Sequence, residues 1–203
     1  MRRLLTLKDG YKLVKAARTA IEQHLANKEV KIDEEIKRYS QKSGVFVTLN
    51  KKASKEELRG CIGYPLPTKP LYQALIDAAI SATRDPRFEP VRLEEMEEIT
   101  IELSILTEPE LIKVDDPREY PKKIKVGRDG LLIHWRYGSG LLLPQVAIEY
   151  NWDEERFLCE TCMKAGAMPD CWLYEDTKVY RFQAIIFKEV EPRGEVIILD
   201  HRD

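Results

Sequence analysis

The chain has 203 residues, enough to bury a substantial core as one domain or two small ones. Charged residues make up 33% and the net charge is −2, so no excess of positive charge asks for a nucleic-acid backbone, and nucleic acid is not an expected partner. No apolar run is long enough to span a bilayer, and the segment after Arg2 and Arg3 is charged too soon for a secretory signal, which predicts no membrane and a cytoplasmic location.

From Asp9 to about Ala26, Leu13, Val14, Ala17, Ala20, Ile21 and Leu25 recur at helical spacing and predict an amphipathic helix. Arg2, Arg3, Lys8, Lys12, Lys15 and Arg18 read as a solvated basic face. A short charged helix is expected around Asp33–Arg38, then a strand over Gly44–Leu49 and a polar loop over Asn50–Glu57. Pro70 suits the first turn of a helix carrying Leu71, Leu75, Ala78, Ala79 and Ala82 on one stripe, which stops before Asp85-Pro86. Ile99–Leu106 alternates, with Ile99, Ile101, Leu103 and Ile105 on one face and Thr100, Glu102 and Ser104 on the other, as a strand with one buried face does. Ile124–Trp135 reads as a hairpin turning at Asp129-Gly130. Pro144 opens a short helix through Tyr150, and Asn151 with Glu154 reads as the capping box of another, ended by Gly166. Val179–Phe187 and Glu195–Leu199 are late strands. Strands and helices in mixed order with short links predict an α+β fold of mixed or antiparallel sheets with flanking helices.

The segment Leu58-Arg59-Gly60-Cys61-Ile62-Gly63 is the first that suggests chemistry. Gly60 and Gly63 leave room on both sides of Cys61 for a ligand or for another backbone. In an extended chain Arg59 and Cys61 share a face, and a guanidinium beside a thiol favours the nucleophilic thiolate. The competing reading is a small core cysteine beside a bulge. Asp85 follows a helix C-terminus, where an anion is unfavourable, so it needs a partner: Arg84, Arg87 or a bound group. Glu102 is either a general base on a groove-lining face or an ordinary solvent-facing residue.

Cys159 and Cys162 lie inside a predicted helix, so packing is preferred to metal or redox chemistry, and no metal site is expected. With three Asn and five Gln among many Glu and Lys, the composition is thermophile-like, which keeps open a disulfide from Cys171 to either Cys159 or Cys162. His134 would have to reach Cys61 to form a catalytic pair, and neither it nor any glycine-rich loop names a cofactor.

LRGCIG, DPRFEP at Asp85–Pro90, IELSIL, VGRDGLLI, LLPQVA at Leu142–Ala147 and FLCETCMKAG at Phe157–Gly166 together resemble the AMMECR family, in order, from about Val45 to Phe187. The resemblance implies an α+β unit of two unequal subdomains with a groove between them, and an activity not assigned to a reaction. It also implies a pathway shared with a Memo-like or radical-SAM partner. The family's recurrent positions fall here on Arg59, Gly60, Cys61, Gly63, Asp85, Arg87, Phe88, Leu143, Pro144, Lys164 and Gly166, and Gln145 stands where other members often carry Glu.

Two functions follow as expectations. In the first, a cleft enzyme uses Cys61 with Asp85 or Glu102 for protons, while Arg59, Gly60, Gly63, Arg87, Gln145 and Lys164 bind a small anionic metabolite or nucleotide. In the second, a non-catalytic binding or adaptor module holds a small-molecule ligand or protein partner beside an inert Cys61, with an apolar patch near Tyr64, Pro65 and Leu66.

Overall fold

The structure, a computed structural model, describes residues 5–52 and 56–199; Arg2, Arg3, residues 53–55 of the expected polar loop and His201 lie outside them. Helix α1 (Leu7–Leu25) begins where Thr6 and Asp9 close a reciprocal cap, each side chain satisfying the other's backbone N–H. The buried stripe is the expected one, except that Arg18 belongs to it and not to a solvated basic face. Its guanidinium reaches the carboxylate of Glu189 and the carbonyls of Met96 and Ile99.

A one-turn helix α2 (Glu34–Lys37), capped by Asp33, leads into β1 (Val45–Lys52) and β2 (Glu56–Tyr64), an antiparallel pair. Of the expected loop at Asn50–Glu57, residues 50–52 and 56–57 are therefore strand, since a pleat carries polar side chains readily where a strand nears solvent. Helix α3 (Leu71–Ala82) starts after Pro70 and ends before Asp85-Pro86 as expected, and β3 (Ile99–Leu106) has the predicted bounds. Both faces of β3 are covered: Thr100 and Ser104 are as buried as the isoleucines, so polarity alternates along the strand and exposure does not.

After Leu106 the chain builds a second set of elements: β4 (Glu110–Leu111), α4 (Tyr120–Lys123), β5 (Gly130–Trp135), β6 (Gly138–Leu142), α5 (Pro144–Glu149), α6 (Glu154–Lys164) and β7 (Lys178–Phe182). It then returns through β8 (Ala184–Glu189) and β9 (Val196–Leu199). The apolar run from Val179 to Phe187 is thus two strands in two sheets, broken at Gln183. There the Thr107 N–H donates to the Gln183 carbonyl, and the Gln183 N–H donates to the Thr107 hydroxyl.

The described residues up to Leu106 and those of 185–199 form one compact unit, with sheet order β2-β1-β3-β8-β9. Val45, Val47, Leu49 and the four β3 residues at Ile99, Ile101, Leu103 and Ile105 turn one face into a core shared with α1 and α3. Each such side chain, fully buried, stabilises by about 1.5–3 kcal/mol.

Thr107–Ala184 form the other unit, with sheet order β4-β7-β5-β6. Its hairpin is β5–β6, turning at Arg136-Tyr137, and not the expected one at Asp129-Gly130. Asp129 is buried and folds back to accept the Lys125 N–H and the Arg128 guanidinium. Gly130 is demanded by packing: a Cβ there would come within 2.4 Å of the Phe182 ring. The cap of α6 is Asp153, which accepts the Arg156 N–H; Asn151 takes a left-handed φ of 52° instead. Gly166, at φ 74°, ends the helix as expected.

Of the two open disulfide pairings, Cys162–Cys171 is the one formed, and Cys159 is free. The bridge spans a sequence separation of 9 and ties α6 to the turn carrying Trp172, inside a core with Phe157, Leu158 and Val179. Closing a loop of that length removes enough unfolded-chain entropy to stabilise by about 2.5 kcal/mol. The Cys162→Ser/Cys171→Ser variant is expected to lose about that much, read as a lower thermal midpoint; an unchanged midpoint would mean the staple adds nothing.

Candidate functional site

Cys61 lies on β2, the edge strand of the five-stranded sheet, so its backbone N–H has no further strand to bond. Asp85, just past α3, supplies the acceptor: its Oδ2 takes the Cys61 N–H at 2.9 Å. The register pairs Cys61 with Thr48, and an N–H committed outward makes this a non-hydrogen-bonded pair, the kind whose side chains lie closest. The Thr48 hydroxyl accordingly donates to the Cys61 sulfur at 3.3 Å.

Asp85 is held from several sides. The backbone N–H, Nε and Nη2 of Arg87 all donate to its carboxylate. These donors hold Asp85 ionised, with its pKa far below the usual carboxylate range, Arg87 being the largest cause. Its side chain is almost wholly buried, while that of Arg87 is 58% exposed and lies against the Phe88 ring. Of the partners open to Asp85 in the sequence, Arg87 is the one it takes.

Arg59 sits elsewhere. The β1–β2 register shifts between Leu49 and Asn50, pairing Leu49 with Gly60 and Asn50 with Leu58, so Arg59 is the extra residue of a bulge. A bulge breaks the alternation that would have put Arg59 on the face of Cys61. Its guanidinium instead grips Glu95 through two nitrogens at 3.0 Å and reaches the carbonyls of Glu89 and Pro90. The cation that acts on the thiol is Arg87.

The flanking glycines admit protein, not empty space. A Cβ on Gly60 would lie 2.2 Å from the Ala82 carbonyl oxygen, and one on Gly63 2.4 Å from the Phe46 ring. Of the two uses open to them in the sequence, close approach of another part of the chain is the one observed.

Thr48 is paired on its other side with Glu102 of β3, and Glu102 meets Lys188 of β8 at 3.9 Å. Cys61, Thr48, Glu102 and Lys188 therefore form one row across four neighbouring strands. Glu102 and Lys188 are mostly buried, with 17% and 20% of their side chains exposed. Burial is the main influence on the Cys61 thiol and raises its pKa; Thr48 and Arg87 pull it down, and the charges of Asp85 and Glu102 push it up. At neutral pH the sulfur carries its proton.

Gln145 and Lys164 belong to the second unit, on α5 and α6. Gln145 is half-buried with its Oε1 unbonded among the described residues, and Lys164 is exposed. His134, also in that unit, packs edge-on against Tyr180. This unit also holds a polar cavity of about 390 Å³ lined by residues including Glu110, Arg128, Asp129 and Arg181, and by none of the expected site residues. Its arginines are paired, Arg128 with Asp129 and Arg181 with Glu110. Among the described residues no cluster of three or more His, Cys, Asp or Glu is arranged for a metal. No described helix is long and apolar enough to cross a membrane.

Thr48, Lys188 and Glu95 carry no sequence signal of their own, since only strand register and the bulge bring them into play. The combination defines a class: an α+β protein of two compact units in which an edge hairpin presents a glycine-flanked cysteine to a buried aspartate paired with an exposed arginine. Residues 14–187 match the model of the AMMECR1 family, and the chain belongs to that family. It is 57% identical over 196 residues to protein MJ0810 of Methanocaldococcus jannaschii, covering 96% of this chain and 97% of that one. It is 59% identical over 192 residues to protein PYRAB00100 of Pyrococcus abyssi, covering 92% and 93%. The crystal structure of the uncharacterized protein PH0010 from Pyrococcus horikoshii superposes with a TM-score of 0.85 at 53% identity, over 94% of this chain and 96% of that one.

Proposed function

We propose that the chain is a ligand-binding protein whose site is centred on Cys61 and Arg87 and takes a small anionic metabolite or nucleotide. The observation that carries this reading is the Arg87 guanidinium. Asp85 holds its Nε and Nη2 edge, which fixes the plane, while 58% of the side chain is exposed and its charge acts on the thiol. A guanidinium so oriented loses little freedom on meeting a carboxylate or phosphate, and the site's S–H adds a weak donor. Arg59, with its bonds to Glu95, Glu89 and Pro90, serves as a strut for the bulge.

Binding is favoured over nucleophilic catalysis because burial outweighs the groups that would ionise Cys61. Asp85 is a poor proton acceptor, being held ionised by Arg87 and two backbone N–H groups. Glu102 is the carboxylate left for proton transfer in a catalytic version of the site. The Memo-like or radical-SAM partner implied by the family resemblance fits an adaptor use of the same face. The apolar patch expected there is slight: Leu66 is 43% exposed, but Lys69 lies over the Tyr64 ring.

Alkylation of each cysteine in the native protein against pH, resolved by peptide mass spectrometry, tests the choice. Cys61 is expected to label slowly, with a midpoint above the roughly 8.5 of a free thiol. A midpoint well below that value would overturn the binding reading in favour of an activated nucleophile. Calorimetry with a panel of nucleotides and dicarboxylates tests the ligand class: at least one should bind, and Arg87→Gln should weaken it by about tenfold or more. No binding by any member would remove the anion reading.

A further inference from the structure

We infer that Thr48 and the Glu102–Lys188 pair form a cross-strand row that adjusts the reactivity of the Cys61 sulfur on top of the dominant effect of burial, with Thr48 and Lys188 as positioning residues. The inference rests on the reading of Cys61 as part of the site, and it adds residues that neither the motif nor the family match singles out.

The geometry supplies each link. Thr48 lies opposite Cys61 on one side and opposite Glu102 on the other, so all three share one line across β2, β1 and β3. Thr48 donates its hydroxyl proton to the sulfur at 3.3 Å, an interaction that favours the thiolate. Glu102 places a negative charge on the far side of Thr48, which favours the protonated thiol. Lys188, on the next strand, sits 3.9 Å from the Glu102 carboxylate and offsets that charge. In this partly buried setting, charges two strands apart still register.

The other charged groups acting on the sulfur are Arg87, which lowers its pKa, and Asp85, which raises it, both from the segment after α3. On β2 itself, Arg59 is turned to Glu95.

The test is the pH midpoint of Cys61 alkylation in the full chain without ligand, so it stands apart from whether any anion binds. Thr48→Val is expected to raise the midpoint by about half a unit and slow labelling about threefold at a fixed lower pH, since one unit is a tenfold change in thiolate fraction. Thr48→Ser keeps the hydroxyl and should restore the wild-type midpoint. Glu102→Gln should lower the midpoint, and Lys188→Met should raise it.

In the Glu102→Gln background, the effect of Lys188→Met should shrink, because the share of its action that runs through the carboxylate is gone. Near-ultraviolet circular dichroism confirms that each variant is folded, and the serine and glutamine variants keep the test open if valine disrupts the sheet. An unchanged midpoint in folded Thr48→Val overturns the proposal. So does a Lys188→Met shift of full size without the Glu102 charge. Failure of the anion panel with the expected shifts intact would sink the ligand reading alone.

Discussion

Replacing Glu189 by Ala is expected to destabilise the protein by about 3–5 kcal/mol, because it strands a buried guanidinium. Arg18 and Glu189 expose only 6% and 3% of their side chains. The carboxylate takes Nε and Nη2 of Arg18 and also the Ile101 N–H, so it links α1 and β8 to the central strand β3. Among the described residues, removing it leaves the Arg18 charge with the Met96 and Ile99 carbonyls and the more exposed Glu22, and it orphans the backbone donor of Ile101. Both losses are of the kind that water cannot repair at a buried position. Urea titration gives the measurement. The paired variant Arg18→Met/Glu189→Leu should recover the part of the loss due to the stranded charge, since an apolar pair of similar volume avoids desolvating two charges, while the Ile101 N–H stays unpaired. A loss below about 1 kcal/mol for Glu189→Ala would mean that water reaches the pair.

The same pair marks a limit of reading by pattern. Arg18 falls among Lys8, Lys12 and Lys15, and on charge alone it belongs with them. Its position on the buried stripe becomes decisive only when Glu189, 171 residues away, is known to face it. Where the signal was local, the sequence was enough: the apolar stripes of α1 and α3 and the alternation of β3 each arise within one element. Where the decision lay between elements, it was not. Asp129-Gly130 carries a hairpin signature, yet Asp129 closes a turn on Lys125 and Gly130 makes room for Phe182. Asn151 has a capping side chain and the right spacing to Glu154, but the Glu154 carboxylate accepts the Val126 N–H instead.

The candidate site divides in the same way. Cys61, Asp85 and Arg87 are legible because they sit in short, unusual motifs, and the structure brings them together through the Cys61 N–H. The partners of Arg59 were hidden because a one-residue bulge reverses every facing beyond it. Thr48 and Lys188 look like ordinary strand residues, and only the order β2-β1-β3-β8 puts them in line with the thiol. A site built across strands is written in register, which a single sequence records weakly.

Asp85→Ala should produce the largest change at the site itself. It removes the acceptor of the Cys61 N–H, releases Arg87 and loosens the turn at Asp85–Phe88, where the Phe88 N–H bonds the Asp85 carbonyl. Because the Arg87 end is more than half exposed, its share is screened, and most of the loss comes from the two backbone donors left without a partner. Together these amount to about 2–3 kcal/mol.

The loss should depend on pH in a definite direction. The folded-state pKa of Asp85 is depressed below the roughly 3.9 of an unfolded aspartate, so its contribution is fully present at neutral pH. It is lost as pH falls below about 4 and on through the folded value. The stability gap between the wild type and Asp85→Asn, which keeps the shape and removes the charge, should accordingly hold steady from pH 7 to about 5 and narrow by pH 3. A gap of equal size at both ends would show that the charge of Asp85 does not contribute. Cys61 gives the second readout. With the Asp85 charge gone and Arg87 free to turn toward the sulfur, alkylation at a fixed pH should quicken in Asp85→Asn. Slower labelling there would mean that Asp85 holds Arg87 against the thiol, and that the pair, more than burial, governs the sulfur's proton.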